Sequence, residues 1–101
     1  MSDKTFDEIY EEFKNEIDNK AKSTLGVECV RKLFNNGLYK ETCDICDEML
    51  SVSKAENDHD SSYRILMMVS RSYRYLGKFL HTKEYFLKAE KVASKLDNPF
   101  Y

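Results

Sequence analysis

The sequence predicts an all-α protein built from antiparallel helix pairs, and three observations lead to that prediction. Apolar residues recur at intervals of three and four along most of the 101-residue chain, as they do on one side of a helix. Three glycines and one proline leave too few turn residues for a β-rich fold of this length. The segment that begins at Gly37 is also matched, forty positions later, by the segment that begins at Gly77. Together these features favour helices joined by short connections.

The first segment, residues 1–22, is predicted to be an acidic amphipathic helix. Thr5 and Glu8 fit a capping box, in which the hydroxyl and the carboxylate accept hydrogen bonds from backbone N–H groups at the helix start. The apolar spacing continues to Ala21, so we expect one uninterrupted helix. Its apolar stripe is a candidate partner-binding surface. The stripe consists of Phe6, Ile9, Tyr10, Phe13 and Ile17.

A helix pair is predicted over residues 25–54. Its first helix begins near Ser23 and stops at Gly37, the residue type that best tolerates the left-handed conformation after a helix. Its second helix follows at once, from Leu38 to about Val52. So short a connection makes the two helices antiparallel.

A second helix pair is predicted over residues 62–96. Residues 55–61 are polar and rich in helix-capping residues, so they are expected to form a linker before it. One helix is expected from about Ser62 to Leu76 and the next from about Leu80 to Leu96. Pro99 follows and would stop further helix, because it has no N–H and its ring clashes with the preceding turn.

The two pairs are copies of one unit, which is typical of an α-solenoid. The second copy resembles the tetratricopeptide (TPR) consensus in residue size and spacing, and the first copy matches it more loosely. A TPR unit has 34 residues, so the six-residue excess is assigned to the polar linker. The predicted fold is a TPR-like α-solenoid of two antiparallel hairpins preceded by an extra amphipathic helix, in one domain spanning residues 1–101. The TPR-like positions of the second copy are Leu66, Val69, Tyr73, Gly77, Phe79, Phe86 and Ala89.

Composition narrows the classes of function. The formal net charge of −2 gives no global attraction to nucleic acid or anionic lipid. No apolar run approaches the roughly 20 residues that span a bilayer, so no membrane role is expected. The three cysteines are an odd number with no signal peptide before them, which favours a reducing intracellular compartment, either nucleus or cytoplasm.

The cysteines are the most chemical-looking feature of the chain. Cys43 and Cys46 form a C-x-x-C pair, which with Cys29 and either His59 or His81 could make a Cys₃His zinc site. Helical spacing and the lack of a second ligand pair favour apolar packing of these thiols instead. Neither a metal nor a cofactor is therefore predicted. No phosphate-binding loop, nucleophile elbow or HExxH motif occurs either, so the chain is not expected to be an enzyme.

Four basic residues, Arg64, Arg71, Arg74 and Lys78, fall within about 80° of one another on the fourth predicted helix. This basic ridge is a second candidate partner-binding surface, and it could face an acidic protein or nucleic-acid phosphates. The more ordinary interpretation is a solvated helix face. Nucleic acid is not favoured, because aromatic side chains for base stacking are missing apart from Tyr75.

One further resemblance rests on four segments: Val27–Leu33, then Asn36-Gly37-Leu38, then Met49–Ser53, then Tyr63–Leu66. Together they are similar to the amino-terminal region of anaphase-promoting complex subunit 7, over about residues 27–92. The linker here is shorter and has no proline, and residues 1–22 have no counterpart. The resemblance implies a scaffold subunit of a nuclear ubiquitin ligase that self-associates and has no catalytic residue.

The function expected from the sequence is thus protein interaction or scaffolding, with a homodimer or a larger complex as the product. A solenoid needs a polar capping helix after its last repeat, yet only residues 97–101 follow the fifth helix. We therefore expect either a longer solenoid or an end covered by a partner such as a second copy. The alternative is a nucleic-acid-binding or regulatory module that uses the basic ridge.

Overall fold

The structure is a computed structural model that describes residues 4–96, and within this range it contains six α-helices and no β-strand. The all-α prediction is confirmed there. The predicted stop at Pro99 and the terminal residues 97–101 lie outside the described residues. The helices are α1 (Phe6–Asn15), α2 (Asn19–Asn35), α3 (Tyr39–Asp44), α4 (Cys46–Ala55), α5 (His59–Tyr75) and α6 (Phe79–Ala93).

The helices pack in chain order around α2, α4 and α5. Helix α1 packs on α2, which in turn contacts α3, α4 and α5, while α3 and α4 also pack on α5. Among the described helices, α6 packs along α5 alone. The two ends of this arrangement are therefore α1 and α6. None of the six helices is both long enough and apolar enough to cross a bilayer.

The prediction of one helix through Ala21 was wrong. Helix α1 starts with the predicted Thr5 and Glu8 capping box but ends at Asn15. Asp18 then caps a new helix, because its Oδ2 accepts a hydrogen bond from the Ala21 N–H at 2.9 Å. Ala21 belongs to α2, which starts at Asn19, earlier than the predicted Ser23.

The predicted linker at residues 55–61 is a three-residue turn. Helix α4 runs to Ala55 and α5 starts at His59, so residues 56–58 alone separate them. Asn57 adopts a left-handed conformation (φ +52°), and the Asp58 side chain accepts from the Ser61 N–H to cap α5. The forty-residue repeat is therefore made of long helices and short turns, and it contains no long loop.

The predicted helix from Leu38 to Val52 is interrupted at Ile45, which separates α3 from α4. The Ile45 N–H still donates to the Glu41 carbonyl at 3.2 Å, and the Met49 N–H donates to the Ile45 carbonyl at 3.1 Å. No side chain caps either helix at this point. The interruption is a distortion within one helical segment, and the sequence gives no signal for it.

The same turn ends α2, α4 and α5 at intervals of twenty residues. The residue after each helix cap has positive φ: +74° at Gly37, +52° at Asn57 and +76° at Gly77. In each turn the next N–H reaches back five residues, as in a Schellman motif. These bonds run from Leu38 to Leu33 (3.0 Å), from Asp58 to Ser53 (2.9 Å) and from Lys78 to Tyr73 (2.9 Å).

The core repeats at the same interval. Cys29, Met49, Val69 and Ala89 lie twenty residues apart on α2, α4, α5 and α6, and all four are fully buried. Each of these helices thus contributes an equivalent side chain to one continuous core. The forty-residue repeat seen in the sequence consists of two successive twenty-residue helical steps.

Candidate protein-interaction surfaces

The apolar stripe of α1 is mostly used inside the chain. Ile9 and Phe13 are buried, and the Phe13 ring stacks on Tyr10, whose ring stacks in turn on Phe6. The Tyr10 hydroxyl donates to the Glu48 carboxylate at 2.8 Å, which ties α1 to α4. Four of the five predicted contact residues therefore hold α1 in place. Phe6 and Tyr10 stay half-buried, so partner contact through this stripe stays a prediction.

Ile17 is the exception within this stripe. It lies between α1 and α2 and is 94% exposed. A wide depression of about 890 Å³ opens beside it, lined by Glu11, Glu12 and Glu16 among others. This surface is acidic and open, and no basic side chain of the described residues lines it.

The four residues of the basic ridge are all exposed, and two of them have partners within the chain. Arg64 pairs with Asp60, with 2.9 Å between Nε and Oδ2, and the Arg74 guanidinium lies over the Tyr75 ring. Arg64 and Arg71 line one groove, whereas Arg74 and Lys78 do not. Within residues 4–96 no carboxylate lies within ion-pairing distance of Arg71.

This α2–α5 groove has a volume of about 350 Å³. Its α2 wall includes Arg31, which the sequence analysis missed, and which lies forty residues before Arg71. Aligning the two forty-residue repeats places Arg31 at the same position as Arg71, and this correspondence could have identified Arg31 from the sequence. The groove is lined by Arg31, Phe34 and Asn35 of α2 and by Tyr63, Arg64, Met67, Met68 and Arg71 of α5.

An aromatic cluster adjoins one end of the groove. The Phe34 ring meets Tyr39 edge-on at 5.7 Å and Tyr75 at 6.4 Å, and Tyr39 stacks on Tyr75 at 4.5 Å between ring centroids. Phe34 thus joins the groove to the turns that end α2 and α5. Tyr75 stays 58% exposed despite these contacts.

Several large apolar side chains are exposed on α6. Phe79 is 70% exposed, Leu80 84% and Leu87 50%. Leu80 and Leu87 are two turns apart, so they lie on one side of the helix, opposite the buried Ala89. Lys83 and Glu84 are exposed between them. We call Leu80, Lys83, Glu84 and Leu87 the α6 face.

The three cysteines are structural in this fold. Cys29 and Cys46 are buried and Cys43 is half-buried. Burial raises the pKa of Cys29 and Cys46 to about 12 and the pKa of Cys43 to about 11, so the reactive thiolate is scarce at neutral pH. In the described range no three Cys, His, Asp or Glu side chains converge as metal ligands would.

Within residues 4–96 neither histidine belongs to a metal-ligand cluster. His59 is the first residue of α5, which corrects its predicted place in a loop. His81 lies on α6 with its ring 4.9 Å from that of Tyr73.

Comparison with known proteins gives no assignment. No protein-family model matches the chain, and no curated protein or solved structure matches it either.

Proposed function

We propose that this chain is a protein-interaction module with a TPR-like solenoid architecture, and that it self-associates through the α6 face. The repeat of helix, turn and helix at forty-residue spacing supports the architecture. The narrower idea, a scaffold subunit of the nuclear anaphase-promoting complex, is supported by the sequence resemblance alone. No catalytic role is proposed.

The observation that carries self-association is the exposure of apolar side chains on α6, since Leu80 and Leu87 of the α6 face are 84% and 50% exposed. Phe86 lies about 100° around the helix from Leu87, beside this face, and is 43% exposed. At twenty-residue steps Phe86 is equivalent to Cys46 on α4 and Leu66 on α5, which are 2% and 1% exposed. Each earlier helix is covered by helices that follow it, whereas among the described helices α6 has α5 alone as a neighbour. A helix of another molecule can take that place.

The α6 face is complementary to itself in an antiparallel arrangement. In an antiparallel pair with a two-fold axis between Lys83 and Glu84, each step towards the start of one helix is matched by a step towards the end of the other. Leu80, three residues before Lys83, therefore lies opposite Leu87 of the second copy, three residues after Glu84. The same axis brings each Lys83 opposite a Glu84. The two opposite-charge pairs then lie at the axis with a leucine contact on each side, which favours this register over one with like charges opposed.

Light scattering after size-exclusion chromatography tests the proposal over roughly 10 to 300 μM protein, a range that brackets weak dimers. We expect the mass to rise from monomer towards dimer. Lys83→Glu places two acidic residues opposite each other and should lower the dimer fraction. The double variant K83E/E84K restores opposite charges across the axis and should recover it.

Lys14→Glu is the matched control, because it makes the same charge change on α1, at the other end of the helix packing. It should leave the mass unchanged. A monomeric mass over the whole range refutes self-association. Equal effects of K83E and K14E would show that general charge, and not the α6 face, controls the mass.

The alternative from the sequence is nucleic-acid binding through the basic ridge. Two of the four guanidinium or ammonium groups have partners within the chain, Arg64 with Asp60 and Arg74 with the Tyr75 ring, so we do not propose nucleic-acid binding as the function. A single-stranded RNA is tested beside the peptides in the binding experiment on the α2–α5 groove.

A further inference from the structure

We propose that the α2–α5 groove binds an extended acidic segment of another protein, in which a large apolar side chain and a carboxylate lie two residues apart. The groove is formed by a different surface from the α6 face. This inference therefore goes beyond self-association and does not depend on it.

The floor of the groove suits an apolar side chain. Met67 and Phe34 are half-buried and Met68 is nearly buried, so the apolar floor is partly open to solvent. Methionine has a flexible, polarisable side chain that adapts to differently shaped partners. A volume of about 350 Å³ accommodates one large side chain with its adjoining backbone.

The walls suit a carboxylate. Arg71 lines the groove from α5 and has no carboxylate of residues 4–96 within ion-pairing distance. Arg31 lines the opposite wall from α2 and is paired with Glu28 one turn earlier. A guanidinium has five N–H donors, so Arg31 can keep Glu28 and still donate to a ligand. Glu28 then acts to hold that guanidinium in position.

The spacing of these groups specifies an extended ligand. Met67 and Arg71 are four residues apart on α5, so they are separated by about 6 Å along the helix axis. In an extended chain, residues two apart point to the same side and are about 6.6 Å apart. An apolar side chain over Met67 therefore places a carboxylate two residues away beside Arg71.

Two carboxylates at the groove argue against a nucleic-acid ligand. Glu28 and Asp60 pair with Arg31 and Arg64, so three guanidiniums and two carboxylates leave a net charge of +1. A phosphate chain carries a charge on every nucleotide, and a net charge of +1 matches little of it, whereas it matches the single carboxylate of the proposed peptide. The adjacent Tyr39 and Tyr75 rings stack on each other, which leaves fewer free faces for bases.

Fluorescence anisotropy of short labelled peptides with the full chain tests the inference. The probe carries phenylalanine and glutamate separated by one serine, in a glycine–serine background. We expect saturable binding, with at least about 10-fold weaker binding when glutamate is replaced by glutamine, since hydrogen bonds to a charged group contribute about 1.5–3 kcal/mol. Moving the glutamate to the next position should weaken binding similarly.

Variants of the protein locate the site. Arg71→Ala should weaken peptide binding at least about 10-fold, and Arg71→Lys should recover part of it, because lysine keeps the charge but loses the planar fork. The matched control is Arg74→Ala, which removes the same charge from the same helix outside the groove and should change affinity less than about 2-fold. Circular dichroism spectra establish that each variant is folded.

Three results would overturn the inference. One is the absence of binding at millimolar peptide. Another is equal weakening by R71A and R74A, which would indicate non-specific charge attraction. The third is tighter binding of a single-stranded RNA with steep salt dependence that R71A abolishes, which would make the groove a nucleic-acid surface. Since light scattering reports on α6 and anisotropy on the groove, failure of one proposal is distinguishable from failure of the other.

Discussion

Asp58 joins two helices through one carboxylate, and Asp58→Ala should be among the most destabilising polar substitutions in this chain. Its Oδ1 accepts from the Ser61 N–H at 3.1 Å and caps α5. Its Oδ2 accepts from the Ser61 hydroxyl at 2.7 Å and from the Ser23 hydroxyl at 2.8 Å. Ser23 is fully buried on α2, so alanine at position 58 leaves a buried hydroxyl without this acceptor.

The expected cost follows from these bonds. Loss of the N-cap destabilises a helix by about 1 kcal/mol, and a buried donor left without a partner costs about 1–2 kcal/mol more. We therefore expect Asp58→Ala to lower the free energy of unfolding by about 2–3 kcal/mol. Urea unfolding followed by circular dichroism at 222 nm measures it, with an unchanged slope as the check on two-state behaviour.

Two milder variants separate the contributions. Asn is nearly as good an N-cap as Asp, so Asp58→Asn should retain most of the capping and cost about 1 kcal/mol. Ser23→Ala removes the donor together with its need for a partner, and should also cost about 1 kcal/mol. A loss below about 0.5 kcal/mol for Asp58→Ala would refute the assignment of Asp58 as the link between α2 and α5.

The effect of Asp58 should also depend on pH. Burial opposes its ionisation, but hydrogen bonds from Ser61 and Ser23 outweigh burial and lower the pKa of Asp58 below its usual value. Its contribution is then fully present above the unfolded-state pKa of about 3.9, and it is lost as the pH falls through the folded-state pKa. The stability gap between wild type and Asp58→Ala should narrow from about pH 6 to about pH 3. A gap that widens on acidification would contradict this reasoning.

Three other substitutions or reactions test the fold. Gly26→Ala should raise the free energy of unfolding by about 0.5–1 kcal/mol, because Gly26 is inside α2 and glycine weakens a helix interior. The added Cβ would lie 3.4 Å from the Met49 sulfur, which is an ordinary contact distance. Destabilisation would mean that this helix junction cannot accept a methyl group. Asn57→Gly should raise the free energy of unfolding by about 0.5 kcal/mol, measured by urea unfolding, since glycine has no Cβ to strain at φ +52°. A lower free energy of unfolding would argue against that left-handed turn. Iodoacetamide at neutral pH should alkylate the cysteines of the native chain far more slowly than those of the unfolded chain. Peptide mapping should find the half-buried Cys43 alkylated first. Rapid labelling of the native chain would contradict the burial of these cysteines.

The helices and two of their turns were predictable because each has a local cause. Apolar periodicity locates a helix, and Gly37 and Gly77 provide the left-handed residue that ends one. The third equivalent turn uses Asn57, which tolerates the same conformation less well and lies in a run of polar residues that resembles a linker. The break before α2 was missed because apolar spacing continues through it, while the decisive feature is the cap made by Asp18.

The candidate surfaces were harder to predict, because they depend on which helices become neighbours. The angular positions of residues around α5 correctly place Arg64 and Arg71 on an exposed face. They do not show that Arg31 of α2 lies across a groove from Arg71. The apolar stripe of α1 is visible in the sequence, yet its period is the same whether α2 and α4 or a second molecule covers it. Only the packing shows that Phe13 is covered within the chain.

Magnitudes decide how tight the self-association through α6 can be. Burying a Leu side chain fully contributes about 1.5–3 kcal/mol, so covering the exposed parts of Leu80 and Leu87 would contribute about 3 kcal/mol per copy. Two copies give about 6 kcal/mol, and the two Lys83–Glu84 pairs add at most about 1 kcal/mol each. Association costs about 4–15 kcal/mol in lost translational and rotational freedom, so the balance lies close to zero. The α6 face therefore supports a dissociable pair at most, and a dimer that persists at nanomolar concentration would require contacts beyond it.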